Sequence, residues 1–268
     1  MADQYARQSF LGPRAQERIQ TARVAIIGLG GGGSHVAQQL AHIGFQQYVL
    51  LDPQGIEDTN LNRTVGAIWA DVQPGTLKVE IAKRHILSIT PTSVVEALPD
   101  EWQNHLNELK RCDLIFGCID GFMNRRDFEG FARRYLIPYI DIGMDVHLVS
   151  GEPPRMAGQV FVSMPAHPCM YCVGLLTEAN LAMEATLYGE AGESPQVVWS
   201  NGVLASTAVG LTVDLITDWS VSLRETVFLS FDGNKGTLNP DVRFPYVSKA
   251  PCPHYPISSI GEPRFISL

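Results

Sequence analysis

The chain has 268 residues, of which 45% are apolar and 18% are charged, a composition typical of globular proteins. These values exclude a disordered, fibrous or coiled-coil protein, and the length allows one large domain or two small ones. Twenty Lys and Arg against 28 Asp and Glu give a formal net charge of −8, so the surface as a whole repels nucleic acids and anionic membranes. A polyanionic ligand therefore needs a local group of basic residues.

Cysteine usage and the first residues indicate the compartment. Five cysteines are an odd number without the regular spacing of a disulfide framework, and no basic stretch followed by an apolar one opens the chain. Two long uncharged runs, 24–51 and 194–213, are too polar to span a bilayer. We therefore expect a reducing, cytoplasmic location and no partner among membranes or nucleic acids.

Apolar runs alternate with helical patterns through the first 150 residues. The runs predict five strands, at 23–28, 47–52, 92–98, 113–119 and 138–144. Apolar spacing of three and four residues predicts a helix after the first strand, closed by Gly44, and two more at 78–88 and 124–135. Such alternation predicts an α/β fold with a Rossmann-like, doubly wound and mostly parallel sheet, which binds ligands at the carboxyl ends of its strands.

The pattern changes in the second half of the chain. Its predicted elements are a strand without a following helix at 158–163, a largely apolar helix at 203–219 and antiparallel strands at 226–232 and 237–246. The segment 178–195, within a crossing segment of about 177–202, has mixed propensity and is expected to be a mobile loop or partly helical. No linker-like stretch separates the halves. We therefore expect a single domain over 1–268, in which 151–268 extends the sheet of a nucleotide-binding half, 1–150.

The first predicted strand ends in a glycine-rich turn that opens a helix. Gly28, Gly30 and Gly33 form the pattern G-x-G-x-x-G, which lets backbone amides and a helix N-terminus approach a phosphate. Asp52 ends the next strand, where its carboxylate can accept hydrogen bonds from ribose hydroxyls. The combination predicts a nucleotide- or dinucleotide-binding site, with a purely structural glycine turn as the alternative.

Several further blocks follow in a fixed order along the chain. They are Tyr-Ala-Arg-Gln at 5–8, Asn-Leu-Asn-Arg at 60–63, a lysine at 78, Cys-Ile-Asp-Gly-Phe-Met-Asn-Arg-Arg at 118–126 and Met-Ala-Gly-Gln-Val at 156–160. In this order the blocks resemble those of the ubiquitin-activating-enzyme-like adenylyltransferase superfamily (ThiF/MoeB/HesA type), which includes the activating enzymes of thiamine and molybdopterin biosynthesis. The resemblance extends over about 5–255. The chain departs from the family at Gly121, where Asn is usual, and before Lys78, where two extra residues stand.

The resemblance implies an ATP-dependent adenylyltransferase. In this family the C-terminal glycine carboxylate of a ubiquitin-like or sulfur-carrier protein attacks the α-phosphate of ATP·Mg²⁺, and pyrophosphate leaves. The carboxylate is already a nucleophile at neutral pH, so the reaction needs cations and a metal-holding acid rather than a general base. The implied partner is therefore a small protein that ends in Gly-Gly.

The resemblance also assigns roles to individual residues. Those concerned are Arg7, Asn60, Asn62, Arg63, Lys78 and Asp120. Arg63 and Lys78 would contact the phosphates, Asp120 would bind Mg²⁺, and the two asparagines would offer amides to the nucleotide or to Mg²⁺-bound water. Arg7 would reach across a dimer interface into the neighbouring site, and together with Arg63, Lys78 and Asp120 it completes the expected catalytic set of a homodimer.

Simpler roles remain open for some of these side chains. Asp120 is also placed to cap the helix that follows it. Arg125 would orient the approaching tail or face solvent, and we favour a solvent-facing position for Arg126. Taken alone, Arg7 and Lys78 would be ordinary solvated charges.

Three cysteines and a histidine form a candidate metal site. Cys169 and Cys172 have two-residue ligand spacing, and Cys252 and His254 follow much later in the chain. The family has a structural zinc site of two Cys-x-x-Cys pairs, so the resemblance implies zinc here, although Tyr255 stands in the last position. Unmetallated buried thiols are the alternative, and His167 is the competing fourth ligand. Cys112 and Cys118 flank an apolar strand and are expected to be core residues.

The crossing segment bears on the mechanism because residues 177–202 contain no cysteine. Family members that form a thioester usually carry a cysteine there, so we expect the reaction to stop at the acyl-adenylate. Three other functions remain as alternatives: adenylation of a small carboxylate or peptide, an NAD(P)-dependent oxidoreductase, and a non-catalytic subunit of a heterodimeric activating enzyme. The oxidoreductase accounts only for the glycine turn and Asp52.

Overall fold

The structure, a computed structural model, describes residues 4–148, 150–187, 195–217, 219–220, 225–247 and 252–261. Eight strands of this part of the chain form one sheet. In chain order they are β1 Arg23–Ile27, β2 Gln47–Leu51, β3 Val94–Leu98, β4 Leu114–Gly117, β5 Tyr139–His147, β6 Arg155–Ser163, β7 Val227–Asp232 and β8 Thr237–Pro240. The helices are α1 Ala15–Thr21, α2 Gly31–Ile43, α3 Trp69–Val72, α4 Lys78–Ile89, α5 Leu106–Leu109, α6 Phe122–Arg134, α7 Glu178–Leu187 and α8 Val198–Thr217.

The sheet is parallel in its first half and antiparallel in its second. Its spatial order is β3-β2-β1-β4-β5-β6-β7-β8; the pairs up to β4–β5 are parallel and those from β5–β6 onwards antiparallel. The predicted Rossmann-like fold with an antiparallel C-terminal extension is therefore confirmed. Ile27 at the end of β1 lies beside Leu51 of β2 and Gly117 of β4, so the segments after these strands emerge at one edge of the sheet.

Two apolar layers cover the sheet because successive side chains of a strand point to opposite faces. Val24 and Ile26 of β1 pack in the layer that contains α1, α2, α4 and α8, whereas Ala25 and Ile27 pack in the layer that contains α6. Burial of both faces explains why the parallel strands read as continuous apolar runs. Gly44 ends α2 in the left-handed region (φ +105°), as its place after the apolar pattern predicts.

The second half differs from the prediction at the ends of its elements. Helix α8 begins at Val198, before the start predicted at 203. Asn201 belongs to its first turn, where its side-chain amide donates to the Val197 carbonyl oxygen (3.1 Å). The strand predicted at 237–246 already ends at Pro240. The backbone N–H of Asp241 still donates to the Phe228 carbonyl oxygen of β7 (2.9 Å), while its carboxylate accepts from Nε of Arg243 (2.8 Å), and a short 3₁₀ turn follows.

The crossing segment is partly helical, one of the two predicted forms. Helix α7 occupies 178–187 and α8 begins at 198, while residues 188–194 lie outside the described part of the chain. Among the described residues, no helix is both long and apolar enough to cross a membrane.

Candidate functional site

The carboxyl ends of β1, β2 and β4 border a cavity of about 780 Å³, within the range of small-molecule pockets, roughly 300–1,000 Å³. Seven of the predicted site residues line it: Gly28, Gly30, Asp52, Asn60, Arg63, Lys78 and Asp120. Residues far apart in the chain thus share one cavity at the edge of the sheet where this fold binds ligands.

The glycines of the turn are needed for different structural reasons. Gly28 has a positive φ (+81°), and a Cβ there would lie 2.5 Å from the Cys118 carbonyl oxygen. A Cβ on Gly33 would overlap the Gly28 carbonyl oxygen, so both glycines allow β1, β4 and α2 to pack closely. At Gly30 a Cβ would meet nothing within 4 Å, because this residue faces the cavity. The first turn of α2 therefore opens on space that fits a phosphate.

Asp52 links this turn to β2. Its buried carboxylate accepts a hydrogen bond from the backbone N–H of Leu29 (2.7 Å) and another from that of Gln54 (2.9 Å). Each oxygen retains a further lone pair, and the residue lines the cavity. Asp52 thus fixes the loops around the site and still offers acceptors to a ribose.

Two cations of the cavity have neutral hydrogen-bond partners in the described part of the chain. The buried Lys78 begins α4, and its Nζ donates to Oε1 of Gln54 (2.6 Å). Arg63 donates through Nη1 to the Thr59 carbonyl oxygen (2.7 Å) and to Oδ1 of Asn62 (3.0 Å). Their positive charges therefore suit a polyanionic ligand in the cavity.

Asp120 follows β4 and presents an exposed carboxylate to the cavity. It does not cap α6. The N-cap residue is Gly121, and the carboxylate of Glu184 accepts the N–H groups of the first helical turn. The side chain of Asn124 also lines the cavity and donates to the Asp120 carbonyl oxygen (3.2 Å). Asp120 and Asn124 thus place side-chain oxygens, the ligand type that Mg²⁺ prefers, at the cavity.

A buried charge pair beside Gly143, a residue of the cavity lining, was not predicted from the sequence. Arg125 donates through Nε to Oδ1 of Asp141 (3.0 Å), which also accepts the hydroxyl of Tyr139 (3.1 Å). Burial opposes the charge of Arg125, but Asp141, together with Tyr139 and Asp120, outweighs it and raises the pKa of the guanidinium. The solvent-facing alternative for Arg125 is wrong, whereas Arg126 is partly exposed as expected. The sequence feature that could have indicated this pair is Asp141, a carboxylate inside an apolar strand.

Gly33, Asn62 and Arg7 lie outside the lining of this cavity, whereas Asn60 belongs to it with its side-chain oxygen already engaged. Asn60 is buried and lines the cavity, but its Oδ1 accepts the backbone N–H of Glu57 (3.3 Å) within its own turn. Asn62 is exposed, lies outside the lining and donates to the Gln196 carbonyl oxygen (3.4 Å). Arg7 is exposed in the 3₁₀ segment Ala6–Leu11 and lies outside the lining of its own chain's cavity.

Cys169, Cys172, Cys252 and His254 converge at a second site, where their ligand atoms all lie within 4.8 Å of one another. The Sγ atoms of Cys169 and Cys172 are 3.6 Å apart, and Nδ1 of His254 lies 3.3 Å from the first and 3.5 Å from the second. Tetrahedral zinc with bonds of about 2.0–2.3 Å requires edges of about 3.5–3.8 Å. Five separations among these atoms, 3.3–3.8 Å, are close to such edges, so the cluster could hold a zinc ion, and His254 rather than His167 is its fourth member.

A buried ion pair supports the turn that carries Cys169. Glu129 accepts the backbone N–H of Met170 (3.0 Å), and Arg133 donates to two carbonyl oxygens of the same turn, at 2.8 Å each. Burial raises the pKa of Glu129, against the opposing effect of Arg133. The hydroxyl of Tyr255 donates to Glu129 (3.4 Å), so this tyrosine adds to the support of the candidate metal site.

The other two cysteines are not activated thiols. Cys112 is buried, and burial raises its pKa to about 11. Cys118 was expected to be a core residue, but it also lines the cavity. Burial raises the pKa of its thiol as well. Both side chains therefore stay protonated and weakly nucleophilic at neutral pH.

The chain is similar in sequence or in fold to several characterised proteins. The SAMP-activating enzyme E1 of Haloferax volcanii is 29% identical over 177 residues, which are 64% of this chain and 61% of that protein. The sulfur carrier protein adenylyltransferase of Thermus thermophilus is 31% identical over 174 residues, 63% of this chain and 59% of that protein. A crystal structure of E. coli MccB with AMPCPP and selenomethionine MccA superposes with a TM-score of 0.75 at 20% identity, covering 94% of this chain and 73% of that one.

The chain thus spans about three fifths of the length of these two curated relatives, and the likeness to MccB shows a common fold. The ThiF family model matches residues 1–252, nearly the whole sequence. The glycine turn, the two cations and the acid lie together at one cavity. The match of the family model shows that the chain belongs to the ThiF family.

Proposed function

We propose that the protein is an ATP-dependent adenylyltransferase that converts the C-terminal carboxylate of a ubiquitin-like or sulfur-carrier protein into an acyl-adenylate. The observation that carries the proposal is the cavity in which Lys78 and Arg63, both with neutral partners, lie with the exposed carboxylate of Asp120. The names of the relatives, a SAMP-activating enzyme and a sulfur carrier protein adenylyltransferase, support the same activity.

The reaction depends on charge neutralisation more than on proton transfer. A C-terminal carboxyl group has a pKa near ~3.5 and is therefore an anionic nucleophile at neutral pH. One of its oxygens bonds to the α-phosphorus, the bond from that phosphorus to the bridging oxygen breaks, and pyrophosphate leaves. Lys78 and Arg63 reduce the repulsion between the two anions and stabilise the charge on the leaving group.

The remaining groups of the cavity hold the nucleotide. The first turn of α2, beside Gly30, would bind phosphate oxygens, and Asp52 would accept ribose hydroxyls. Asp120 and Asn124 would hold Mg²⁺, which supplies positive charge between the phosphates when bound. An oxidoreductase would use the glycine turn and Asp52 but leave Lys78, Arg63 and Asp120 without a role, so we do not propose that activity.

The proposal is tested by ATP–pyrophosphate exchange with small proteins that end in Gly-Gly, using versions that lack the last glycine as controls. Exchange that depends on the intact C-terminus supports protein activation. Exchange with a peptide carboxylate instead would favour peptide adenylation, the second candidate, which the fold shared with the MccB–MccA structure suggests. Absence of exchange together with hydride transfer from NAD(P)H would refute the proposal.

The cluster of Cys169, Cys172, Cys252 and His254 would hold a structural zinc ion. Three thiolates and an imidazole are ligands that zinc prefers, and four protein ligands are the number of a structural rather than a catalytic site. Zinc would tie the segment around Cys252 to the turn after β6.

No thioester between enzyme and substrate is expected. Residues 177–202 contain no cysteine, and burial raises the pKa of both Cys112 and Cys118. After incubation with ATP and the partner protein, denaturing gels run with and without dithiothreitol should therefore look the same. A dithiothreitol-sensitive adduct that disappears in Cys118→Ala would contradict this prediction and identify the nucleophile.

A homodimer is expected if Arg7 completes the site of a neighbouring subunit, because this residue lies outside the cavity of its own chain. Arg7→Ala should then lose exchange activity while a mixture with an Asp120→Asn chain regains part of it, since one site of the mixed dimer has both side chains. Sedimentation of a fully active monomer would contradict the dimer.

A further inference from the structure

His254 presents one ring nitrogen to the three thiols of the candidate metal site. Its Nδ1 lies 3.3 Å from Sγ of Cys169, 3.5 Å from Sγ of Cys172 and 3.8 Å from Sγ of Cys252. His254 is also the exposed member of the cluster, whereas Cys169 and Cys252 are buried. An exposed imidazole can turn about two side-chain bonds, so the direction of Nδ1 depends on what the ring contacts.

The far nitrogen of the ring does not fix this direction through the protein. Histidines that bind a metal almost always donate their other ring N–H to a carboxylate, a carbonyl oxygen or water, which sets the orientation of the ring. Within the part of the chain that the structure describes, Nε2 of His254 has no such protein partner. The ring contact of His254 is with an aromatic side chain instead.

Tyr171 stacks on the imidazole of His254. The two ring centroids are 5.0 Å apart, and the ring planes differ by 23°. Stacked aromatic rings at this distance attract each other. Because the faces of the two rings are in contact, rotation that tilts the imidazole away from the thiols would break the stack.

The position of Tyr171 is tied to that of the thiols. It lies between Cys169 and Cys172, in a turn closed by the hydrogen bond from the Gly174 backbone N–H to the Tyr171 carbonyl oxygen (3.1 Å). The other residue between the two cysteines, Met170, is fully buried in the apolar core. The turn that carries two of the sulfur ligands therefore also carries the ring that contacts the fourth ligand.

Tyr255 does not provide this support. Its hydroxyl donates to Glu129 (3.4 Å), and the guanidinium of Arg133 lies 5.3 Å from the centroid of its ring. The residue that stands in the last position of the family pattern thus packs against α6. The histidine one position earlier takes its support from Tyr171, in the turn after β6.

We propose that Tyr171 is a positioning residue that orients His254 for metal binding. The inference rests on the zinc site of the proposed function and adds a residue outside the ligand set. It assigns the effect to the flat ring of Tyr171 and not to its hydroxyl, because the ring makes the contact with His254.

The proposal is tested by the zinc affinity of the purified full chain, measured by competition with a chromogenic chelator. Tyr171→Ala should lower the affinity about tenfold, as loss of a group that orients a metal ligand does, whereas Tyr171→Phe should change it by less than about twofold because it keeps the ring. Tyr246→Ala, at an exposed tyrosine outside the cluster, should leave the affinity unchanged. No loss in Tyr171→Ala, or equal losses in Tyr171→Ala and Tyr171→Phe, would overturn the proposal.

Cobalt(II) in place of zinc separates orientation of the histidine from damage to the turn. Its visible d–d bands report the ligand set, and His254→Ala gives the reference spectrum of a site without imidazole. The spectrum of Tyr171→Ala should shift towards this reference and keep the thiolate absorption. Tyr171→Ala should also lower zinc affinity no further when His254 is already alanine. A further fall of the same size would show that Tyr171 acts on the turn and would overturn its assignment to His254.

The unmodified protein separates failure of the site from failure of the inference. If it binds neither zinc nor cobalt under reducing conditions, the zinc site of the proposed function is refuted, and the role of Tyr171 with it. If it binds metal and Tyr171→Ala binds metal equally well, the zinc site stands and the role of Tyr171 alone is refuted.

Discussion

Replacing Asp120 by asparagine is expected to lower ATP–pyrophosphate exchange by about 10²- to 10³-fold, the loss found when one group that stabilises transition-state charge is removed. Asparagine keeps the size of the side chain but loses the negative charge that would hold Mg²⁺ among the phosphates. Folding should be unaffected, because Asp120 is exposed and its backbone carbonyl still accepts the hydrogen bond from Asn124.

Asp127→Asn is the matched control for this substitution. Asp127 is an exposed acid of α6, the helix that follows Asp120; it pairs with Arg126 and lies outside the cavity lining. It should exchange pyrophosphate at the rate of the unmodified protein. If Asp120→Asn also retained that rate at limiting Mg²⁺, Asp120 would not hold the metal and the proposed site would be wrong.

Removal of metal from the Cys and His cluster is expected to lower the melting temperature by about 10 °C. A bound zinc ion would join Cys172 to Cys252 across 80 residues, and in the chain-entropy model a cross-link of this span contributes about 4.5 kcal/mol. At about 2–3 °C per kcal/mol in a chain of this size, its loss predicts a shift of about 10 °C. The measurement is calorimetry of the purified protein before and after a strong chelator, with zinc content determined by elemental analysis.

Two histidines provide the control for the metal prediction. His254→Ala removes a ligand and should reduce bound zinc, whereas His167→Ala removes a nearby ring that lies outside the cluster and should not. Less than about half an equivalent of zinc in the unmodified protein, with no change on chelation, would favour free thiols.

The pattern of the first half was enough to predict its fold. Period-two and continuous apolar runs fix the strands because both faces of the parallel sheet are buried, and the glycines and Asp52 mark where β1 and β2 end. The second half was less predictable, since β8 ends at Pro240 next to the side-chain contact of Asp241 with Arg243, and Asn201 enters α8 although its residue type is common in loops. Side-chain contacts of this kind cannot be read from periodicity.

The site follows the same division. The ordered motifs predicted that Lys78, Arg63 and Asp120 share one site, and all three line one cavity. The prediction was possible because the carboxyl ends of neighbouring parallel strands meet at one edge of the sheet. The partners of Arg125 and Glu184 could not be deduced, since each pair joins segments whose contact depends on how helices pack in three dimensions. Only the unusual Asp141 in an apolar strand and the unusual Gly121 hinted at them.

Helix α6 has a practical consequence for the interpretation of variants. Its first turn borders the nucleotide cavity, while Glu129 and Arg133, two turns further along the same 13-residue helix, hold the turn that carries Cys169. A rigid helix of this length spans about 20 Å, so a shift at one end moves the other. If a preparation loses both its metal and its activity, this does not show that the metal takes part in the reaction. Displacement of α6 alone would cause both losses.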